Sequence, residues 1–297
     1  MRPRVAFAGN PRSGAGRGRR AAEVVLPVLA ATADVEDVTG PDAAVSTAKL
    51  RAAVEGGVDA VVVSGGDGMV NLAVNAVAGT GTPLGIVAAG TGNDVARELG
   101  LPLTVPDAAA AVVRALAGGS RRTVDAARCR DDDGCVRWFA GVLGAGFDAV
   151  VNERANGWTW PRGRARYTLA VARELPVFRE RHYVLDLDGQ VVRARAMLVA
   201  IANGPAYGGG MRISPASVFD DGLLDVVVAG PISRLELLRI FPKVFSGRHV
   251  DHPRVSLYRA ACVRVDSPGI VGYADGERFG PLPLTCEAVP GALTLLA

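Results

Sequence analysis

Cysteine, histidine and lysine are all scarce in this sequence of 297 residues. The three histidines offer only His249-x-x-His252 as a spacing typical of metal ligands, whereas a structural zinc site needs four His or Cys ligands. No C-x-x-C pair occurs among the four cysteines, which are Cys129, Cys135, Cys262 and Cys286. We therefore expect no zinc site. Because no basic-then-apolar leader opens the sequence, free thiols in a cytoplasmic protein are the simpler expectation.

Lysine occurs only twice, and the two positions exclude two classes of phosphate-binding motif. A Walker P-loop ends in Gly-Lys-Ser/Thr, and a protein kinase places a strand lysine on the phosphates of ATP. Here Lys49 follows Ser-Thr-Ala and Lys243 follows Phe-Pro. Neither class is therefore expected.

The charge balance and the hydropathy pattern exclude two further classes. The formal net charge is only +3, which supplies too few cations for the dense phosphate contacts of a dedicated nucleic-acid binder. Residues 69–93 carry no charge and are numerous enough to span a bilayer, but asparagine, glycine and proline interrupt them. We expect no nucleic-acid partner and no transmembrane helix.

The length of the chain favours two domains, and the first is predicted over residues 1–121. Short β-branched runs alternate there with helical stretches, which is the pattern of an α/β domain with a doubly wound parallel sheet. The predicted strands are Arg4–Ala8, Ala33–Val38, Ala60–Ser64 and Leu84–Ala88. The predicted helices are Arg17–Leu29, Val45–Glu55, Val70–Val77, Asp94–Leu99 and Asp107–Ala117. Ligands of such sheets bind beyond the carboxyl ends of the strands.

Strand-like runs dominate the rest of the chain, and residues 122–297 are predicted as a mostly antiparallel β-sandwich decorated by helices. The predicted strands are Arg122–Ala127, Val136–Val142, Tyr183–Leu187, Val191–Ile201, Leu224–Ala229, Val255–Arg259, Cys262–Val265 and Leu284–Ala288. The predicted helices lie near Asp148–Ala155, Gly163–Leu175 and Ser233–Phe245. The domain boundary is expected near Gly118–Arg122.

Three glycine-rich loops follow three of the predicted strands of the first domain. Asn10–Gly16, Gly65–Gly68 and Gly90–Asp94 each precede or approach a predicted helix, and free backbone amides ahead of a helix form a common anion site. Each loop taken alone is also compatible with a tight connection, and Asp67 with a helix N-cap. An aspartate beside a phosphate chain requires Mg²⁺ or a transferable proton. Together the loops predict one phosphate-binding rim.

These loops resemble the signature of the diacylglycerol kinase catalytic-domain superfamily, and especially its soluble bacterial lipid kinases. Further motifs of that family follow in the same order, so the resemblance covers nearly the whole chain. They are Gly146-Phe147-Asp148-Ala149, Asn203-Gly204, Gly208-Gly209-Gly210, Pro215-Ala216, Asp221-Gly222-Leu223-Leu224-Asp225 and Asp275-Gly276-Glu277. The resemblance implies an ATP- and Mg²⁺-dependent kinase of a lipid with a free hydroxyl, a diacylglycerol-like acceptor being the first expectation. Phosphatidylglycerol, ceramide and sphingoid bases stay open.

The resemblance also implies a set of site residues. Glu277 would accept the proton of the hydroxyl, and the candidate catalytic residues are Glu277, Asp275 and Asp67. A Mg²⁺ ion distinct from the one carried by ATP would be held by Asp221 and by the carbonyls of Val218 and Leu223. The residues lining the ATP site would be Asn10, Pro11, Arg12, Ser13, Gly14, Thr39, Gly65, Gly66, Asp67, Gly68, Met69, Val70, Asn71, Gly90, Thr91 and Asn93.

Several of these residues have a second interpretation. Phosphoryl transfer needs positioned phosphates, a metal and a group that deprotonates the acceptor, but Asp275-Gly276 is equally compatible with a hairpin turn, and Asp221 with a solvated loop carboxylate. One position departs from the family, since Met69 stands where Thr usually follows Gly-Gly-Asp-Gly. The departure removes a hydroxyl able to bond phosphate or cap a helix. A weakened kinase activity is therefore an open alternative.

The acceptor side of the expected reaction has one candidate segment, residues 156–181, where aromatic residues stand beside arginines. Trp158 and Trp160 fit contact with an anionic membrane surface, where Trp takes the interface and each Arg adds about 1 kcal/mol. A solvated, salt-bridged helix with two partly buried tryptophans fits equally well. If the membrane interpretation holds, the protein would work in the cytoplasm and peripherally at the inner face of the plasma membrane.

Two rival functions stay open. One is a kinase of a soluble acceptor, such as NAD kinase, although that family usually carries Asn-Asn-Glu where this chain has Gly90–Asp94. The other is an ATP-binding regulatory protein with little turnover, for which Met69 is the main motive. The sequence leaves the oligomeric state open.

Overall fold

The structure of the protein is a computed structural model that describes residues 1–10, 17–158, 160, 164–174 and 177–297. The chain forms two compact units. The first comprises Met1–Ala126 together with Phe219–Asp221 and Val289–Ala297, and the second comprises Ala127–Val218 and Gly222–Ala288. The sequence analysis placed the boundary after residue 121. It did not include Phe219–Asp221 and Val289–Ala297 in the first unit, because no local sequence pattern indicates that these segments belong there.

In the described residues, the first unit contains a parallel sheet flanked by helices. Its strands are β1 (Arg4–Gly9), β2 (Asp34–Asp37), β3 (Ala60–Gly65) and β4 (Leu84–Ala88). Its helices are α1 (Arg17–Ala30), α2 (Ala43–Glu55), α3 (Asp67–Val77), α4 (Asp94–Glu98) and α5 (Val105–Leu116). The strands pair in parallel in the order β2-β1-β3-β4. The predicted α/β architecture is confirmed.

Burial explains why these strands read as continuous apolar runs. Every residue of β3 and β4 is buried, as expected for parallel strands covered on both faces by helices. Helices α1 and α5 pack together over Phe7 and Val62, and α2 packs on α3. The sheet grows in one direction from β1 to β2 and in the other from β1 to β3. The carboxyl ends of β1 and β3 therefore lie at the switch point, where ligands of such sheets bind.

The second unit is built from antiparallel sheets. One sheet has the order β12-β11-β10-β7-β14-β15, and the other pairs β9, β8, β13 and β16, with β5 and β6 beside β16. The strands are β5 (Arg121–Asp131), β6 (Val136–Phe139), β7 (Val142–Gly146), β8 (Arg181–Leu187), β9 (Gln190–Ala196), β10 (Leu198–Ala202), β11 (Leu224–Ala229), β12 (Val255–Ala260), β13 (Cys262–Asp266), β14 (Val271–Ala274), β15 (Glu277–Pro281) and β16 (Leu284–Leu296). The first part of β5, up to Ala126, and the last part of β16, from Val289, belong to the first unit. The helices are α6 (Phe147–Asn156), α7 (Arg164–Glu174), α8 (Arg234–Val244) and a short 3-10 helix over Arg248–Asp251. Side chains of both sheets share one core, which confirms the predicted antiparallel β-sandwich.

The observed strands of the second half differ from the predicted ones in several places. The single strand expected over Val136–Val142 is interrupted at residues 140–141 and forms β6 and β7, and the one over Val191–Ile201 divides into β9 and β10. Strands β14 and β15 were not predicted, because residues 271–281 include few β-branched residues. Strand β16 continues beyond the predicted end at Ala288. Within the described ranges, no helix is long and apolar enough to cross a membrane.

Candidate active site

The loops after β3 and β4 touch each other through glycine backbone. A Cβ atom placed on Gly90 would lie only 2.3 Å from the Cα of Gly66, and one on Gly66 would lie 3.1 Å from the Cα of Gly90. Real Cβ atoms do not approach other atoms to 2.3 Å, so Gly90 cannot carry a side chain without separating the two loops. The predicted meeting of Gly65–Gly68 with Gly90–Asp94 is therefore present in the first unit.

Asp67 braces these two loops together. Its carboxylate accepts hydrogen bonds from the backbone amides of Asn93 at 2.8 Å and of Asp94 at 2.7 Å. Asp67 thus caps the amino end of α4, whereas the alternative interpretation of the sequence had it capping the helix that it begins. Burial raises the pKa of Asp67, the nearby Asp94 raises it further, and the backbone hydrogen bonds lower it. The structure gives Asp67 a positioning role, and a direct catalytic role stays a prediction.

Asn93 completes the loop after β4. Its backbone adopts a left-handed conformation with φ of 56°, which asparagine tolerates better than most residues. The side-chain oxygen of Asn93 accepts the amide of Gly90 at 2.9 Å, and Arg97 donates to the carbonyl of Gly92 at 2.8 Å. The loop is therefore held in one shape before any ligand arrives.

The loop after β1 begins beside the loop after β3. The amide of Asn10 donates to the carbonyl of Ser64 at 3.0 Å, and the Cβ of Asn10 lies 3.7 Å from the place of a Cβ on Gly65. The hydroxyl of Thr39 accepts the amide of Gly9 at 2.9 Å. Asn10 and Thr39 thus lie beside the ends of β3 and β1, and their part in an ATP site stays a prediction. Pro11, Arg12, Ser13 and Gly14 lie outside the described residues.

The three predicted nucleotide residues at the start of α3 have buried side chains. Met69 is 5% exposed, and Val70 and Asn71 are equally covered. The amide of Met69 donates to the carbonyl of Gly66 at 2.9 Å within the first turn of the helix. The side-chain Nδ2 of Asn71 is buried without a hydrogen-bond partner among the described residues. An unpartnered buried donor costs free energy unless another group accepts its hydrogen bond, so Asn71 is the one of the three whose side chain has capacity for a ligand.

Arg17 is a residue of the rim that the sequence analysis did not single out. It begins α1, and its guanidinium donates to the hydroxyl of Thr91 at 3.5 Å. Arg17 and Arg20 also line a recess shared with Gly90 and Asn93. The sequence signal that could have revealed Arg17 is a cation at the first position of a helix that follows a glycine-rich loop. Two arginines in one recess fit an anionic ligand.

In the second unit, Asp275 and Gly276 form a two-residue hairpin turn joining β14 to β15. Both have positive φ, 50° and 85°, as a type I′ turn requires. The carboxylate of Asp275 accepts the backbone amides of Ala140, Gly141 and Val142 at 3.1 to 3.2 Å. The hairpin interpretation is thus present together with an anchoring role for Asp275, and a direct catalytic role for it stays a prediction.

A second motif of the resemblance supports the same loop. The buried Asn203 donates from its side chain to the carbonyl of Ala140 at 2.9 Å, and the amides of Asn203 and Gly204 donate to the carbonyl of Gly141. Residues 140–142 are thereby fixed from two sides. Asn203-Gly204 and Asp275 therefore hold the same three residues, and Asp275 links them to the turn that precedes Glu277.

Glu277 is the first residue of β15. Glu277 is exposed, yet its pKa is raised because the surrounding chain partly removes it from water. The neighbouring Arg278 is paired with Glu153 at 2.6 Å, and Tyr273 donates to the same carboxylate at 2.9 Å. A carboxylate with a raised pKa on a rigid hairpin has the properties of a general base.

The predicted metal ligands Val218, Asp221 and Leu223 lie on the chain segment that leads to β11. Val218 and Asp221 are exposed, Leu223 is partly exposed, and Gly222 has φ of 72°. One carboxylate and two carbonyls are hard oxygen donors, which is the chemistry Mg²⁺ prefers, with water completing its shell. In the described part of the chain, no three His, Cys, Asp or Glu residues cluster as a metal site would require. A site here would thus depend on a single carboxylate.

A further site, absent from the sequence predictions, is an apolar cavity in the second unit. Its enclosed volume is about 100 Å³, and the space widens into open solvent at its mouth. The inner face of α8 forms one wall, and the polar groups at the wall include Asp148 and Tyr207. The lining includes Phe147, Met197, Leu198, Met211, Ile213, Val227, Leu237, Ile240, Phe241 and Val244. These residues span a hundred positions of sequence, so no local pattern reveals the cavity.

The glycine run Gly208-Gly209-Gly210 shapes one side of this cavity. All three residues have positive φ, from 64° to 98°, a conformation that residues with side chains rarely adopt. The loop brings Tyr207 and Met211 into mutual backbone hydrogen bonds of 3.0 Å. The run is therefore a turn that directs two flanking side chains to the cavity wall.

Residues 156–181, the predicted membrane segment, lie partly outside the described residues. Of its tryptophans, Trp160 is 79% exposed and Trp158 packs partly buried against Val151, Ala155 and Ala170. The two tryptophans therefore differ, and only one is available to an interface.

Comparison with known proteins shows the family. Residues 4–129 match the model described as the diacylglycerol kinase catalytic domain, and residues 141–297 match the YegS C-terminal NAD kinase beta sandwich-like domain. The chain is 46% identical over 289 residues to a diacylglycerol kinase of Mycobacterium tuberculosis, covering 97% of this chain and 93% of that protein. It is 26% identical over 230 residues to a diacylglycerol kinase of Bacillus subtilis, covering 76% and 73%.

Solved structures show the same fold. A putative diacylglycerol kinase from Bacillus anthracis superposes with a TM-score of 0.77 at 23% identity, covering 99% of this chain and 96% of that one. At this identity the likeness supports the architecture alone. The two domain models and the 46% identity show that the chain belongs to the diacylglycerol kinase family of lipid kinases.

Proposed function

We propose that this protein is an ATP- and Mg²⁺-dependent lipid kinase that phosphorylates the free hydroxyl of a diacylglycerol-like lipid. The observation that carries the proposal is the apolar cavity, because an acceptor with acyl chains needs an apolar surface to bury them. The names of the curated relatives agree with this acceptor.

The first unit would hold ATP at the glycine rim. Arg17 and Arg20, which line a recess with Gly90 and Asn93 beside the loops after β3 and β4, are donors suited to phosphates. Asp67 holds these two loops together through its bonds to Asn93 and Asp94. Positioning of this kind provides most of what a protein contributes to phosphoryl transfer.

Magnesium bound with ATP would neutralise charge on the phosphates. Asp221, with the carbonyls of Val218 and Leu223, has the oxygen donors suited to a second, structural Mg²⁺ ion. The chain's own catalytic contribution is a proton acceptor. Glu277 would take the proton of the lipid hydroxyl as its oxygen attacks the γ-phosphate, and Asp275 would hold the hairpin that carries Glu277.

The lipid's acyl chains would lie in the cavity lined by the inner face of α8. The outer face of the same helix suits contact with an anionic bilayer. Leu235, Leu238 and Phe245 are 69%, 58% and 50% exposed, and the exposed cations Arg239 and Lys243 lie beside them. Apolar residues would enter the interface, while the cations attract anionic lipid by about 1 kcal/mol each.

The structure favours this proposal over the two rivals. A soluble, highly charged acceptor such as NAD gains nothing from an apolar cavity. The regulatory alternative rests on Met69, whose side chain is buried in α3. A threonine hydroxyl there would be covered as well, so its absence removes little from the surface of the rim.

The test is transfer of labelled γ-phosphate from ATP into a panel of dispersed lipids and NAD, with Mg²⁺ present and then chelated. A chloroform-soluble product from diacylglycerol that disappears on chelation is expected. Label found only in NADP would move the site to a soluble acceptor. ATP binding without any labelled product would support the regulatory alternative, particularly if Met69→Thr restored transfer.

A further inference from the structure

Asp148 is a buried carboxyl at the wall of the apolar cavity, and the reaction described above does not use it. Its Oδ2 accepts the hydroxyl of Tyr207 at 3.0 Å, while Oδ1 is buried without a hydrogen-bond partner. The residue is 6% exposed. Gly144 leaves room for the carboxyl, since a Cβ there would lie 1.8 Å from Oδ2. The chain therefore fixes Oδ2, whereas Oδ1 is enclosed and keeps capacity for one further hydrogen bond.

The surroundings of Asp148 raise its pKa. Burial raises the pKa to about 6, against hydrogen bonds from Tyr207 and the backbone that lower it, so the carboxyl of the empty cavity is ionised at neutral pH. An acyl chain that displaced water from the cavity would raise the pKa further and favour the neutral form. One tyrosine and one histidine lie near Asp148 or the cavity. Tyr183 donates to the carbonyl of Ala145, and His249 forms a hydrogen bond with the carbonyl of Ile213. The cavity wall also includes His252 and Arg254. A neutral carboxyl has an O–H to donate.

Diacylglycerol offers only one kind of hydrogen-bond acceptor to an O–H group of Asp148 in the cavity. The molecule has one hydroxyl, which is consumed in the reaction, and its other polar atoms are ester oxygens that only accept hydrogen bonds. A carboxylate would leave these esters without a partner, whereas a carboxylic acid can donate to an ester carbonyl. Burying that carbonyl unpaired in an apolar cavity would cost about 1–3 kcal/mol.

We propose that Asp148 and Tyr207 form a polar subsite in the cavity, in which protonated Oδ1 of Asp148 donates to an ester carbonyl of the acceptor lipid while Tyr207 holds Oδ2. The inference rests on the proposed function and adds a specificity to it. The cavity would distinguish ester-linked from ether-linked glycerolipids, although both carry the same hydroxyl and chains of the same length.

Direct binding of two short-chain lipids tests this subsite without depending on phosphate transfer. The probes are 1,2-dioctanoylglycerol, which has ester carbonyls, and 1,2-dioctylglycerol ether, which lacks them. We expect Asp148→Ala to weaken binding of the ester about tenfold, the equivalent of one buried hydrogen bond, and to change binding of the ether by less than about twofold. Asp148→Asn should bind the ester like the wild type, because its amide still donates and still accepts from Tyr207.

The outcomes separate the subsite from a merely structural role. Equal weakening of both lipids by Asp148→Ala, or a loss of the ester preference in Asp148→Asn, would overturn the proposal. Thermal unfolding of both variants shows whether the fold persists, and Tyr207→Phe gives a second variant that keeps the aromatic ring in the wall. Wild-type protein that binds the ester selectively but transfers no phosphate would refute the proposed kinase function and leave the subsite standing.

Discussion

Replacing Asp67 by asparagine tests whether this carboxylate holds the phosphate-binding rim together. One of its oxygens accepts the amide of Asn93, and the other accepts the amides of Asp94 and, at 3.4 Å, Val95. An asparagine side chain keeps one oxygen, but its NH2 group would face a backbone N–H and cannot accept a hydrogen bond from it. Asp67→Asn therefore breaks one of the two links and removes the negative charge from the other.

The size of the effect follows from those bonds. A hydrogen bond to a charged group is worth about 1.5–3 kcal/mol. Burial of the Asp67 carboxylate costs free energy, as its raised pKa indicates, so removing the charge offsets part of the lost hydrogen-bond energy. We expect the free energy of unfolding to fall by about 1–2 kcal/mol. If the loops must then be ordered by ATP itself, the same free energy weakens ATP binding by about tenfold.

Chemical denaturation and calorimetric ATP titration measure both quantities. Asp42→Asn is the matched control, because Asp42 caps α2 in the same unit by accepting the amide of Val45 at 2.9 Å, and asparagine caps equally well. An Asp67→Asn protein with wild-type stability and wild-type ATP affinity would refute the bracing role. A loss confined to kcat would instead give Asp67 a direct part in the chemistry.

Three further predictions concern the proton acceptor, the membrane contact and the position of the usual threonine. Glu277→Gln should lower kcat by about 10²–10⁴-fold and leave ATP affinity unchanged. Only ionised Glu277 accepts a proton and its pKa is raised, so kcat/KM of the wild type should rise with pH at values above the ordinary pKa range of glutamate. A kcat/KM that does not change with pH would contradict this. Leu235→Ser with Leu238→Ser should reduce flotation with phosphatidylglycerol vesicles, whereas Val191→Ser, at a site 50% exposed on β9, should not. Met69→Thr should destabilise the chain by about 1–3 kcal/mol without raising kcat, and a gain in turnover would show that the threonine matters.

The parallel sheet of the first unit was predictable because its elements carry local patterns. β3 and β4 are short β-branched runs buried throughout, and glycine loops end them at the edge where ligands bind. The contact between Gly66 and Gly90 follows from that topology. The bracing role of Asp67 does not, since its partners lie on the next loop, and sequence patterns report capping only within one helix.

The second unit was less predictable, because its site depends on pairing between distant segments. The turn at Asp275-Gly276 is a local pattern, but its anchoring to residues 140–142 is a tertiary contact. The cavity is formed by residues from Phe147 to Val255, whose apolar character is indistinguishable in sequence from ordinary core. Asp148 was part of a recognised motif, yet only the structure shows that one of its oxygens is buried and unpartnered.

The most direct measurement of the central claim is the ratio of ADP formed to phosphorylated lipid formed, with dioleoylglycerol in mixed micelles and Mg²⁺ present. Transfer from ATP to the lipid hydroxyl predicts one phosphatidic acid per ADP, with both products lost in Glu277→Gln. ADP formed without phosphatidic acid, or no ADP from a protein that binds ATP, would contradict the account.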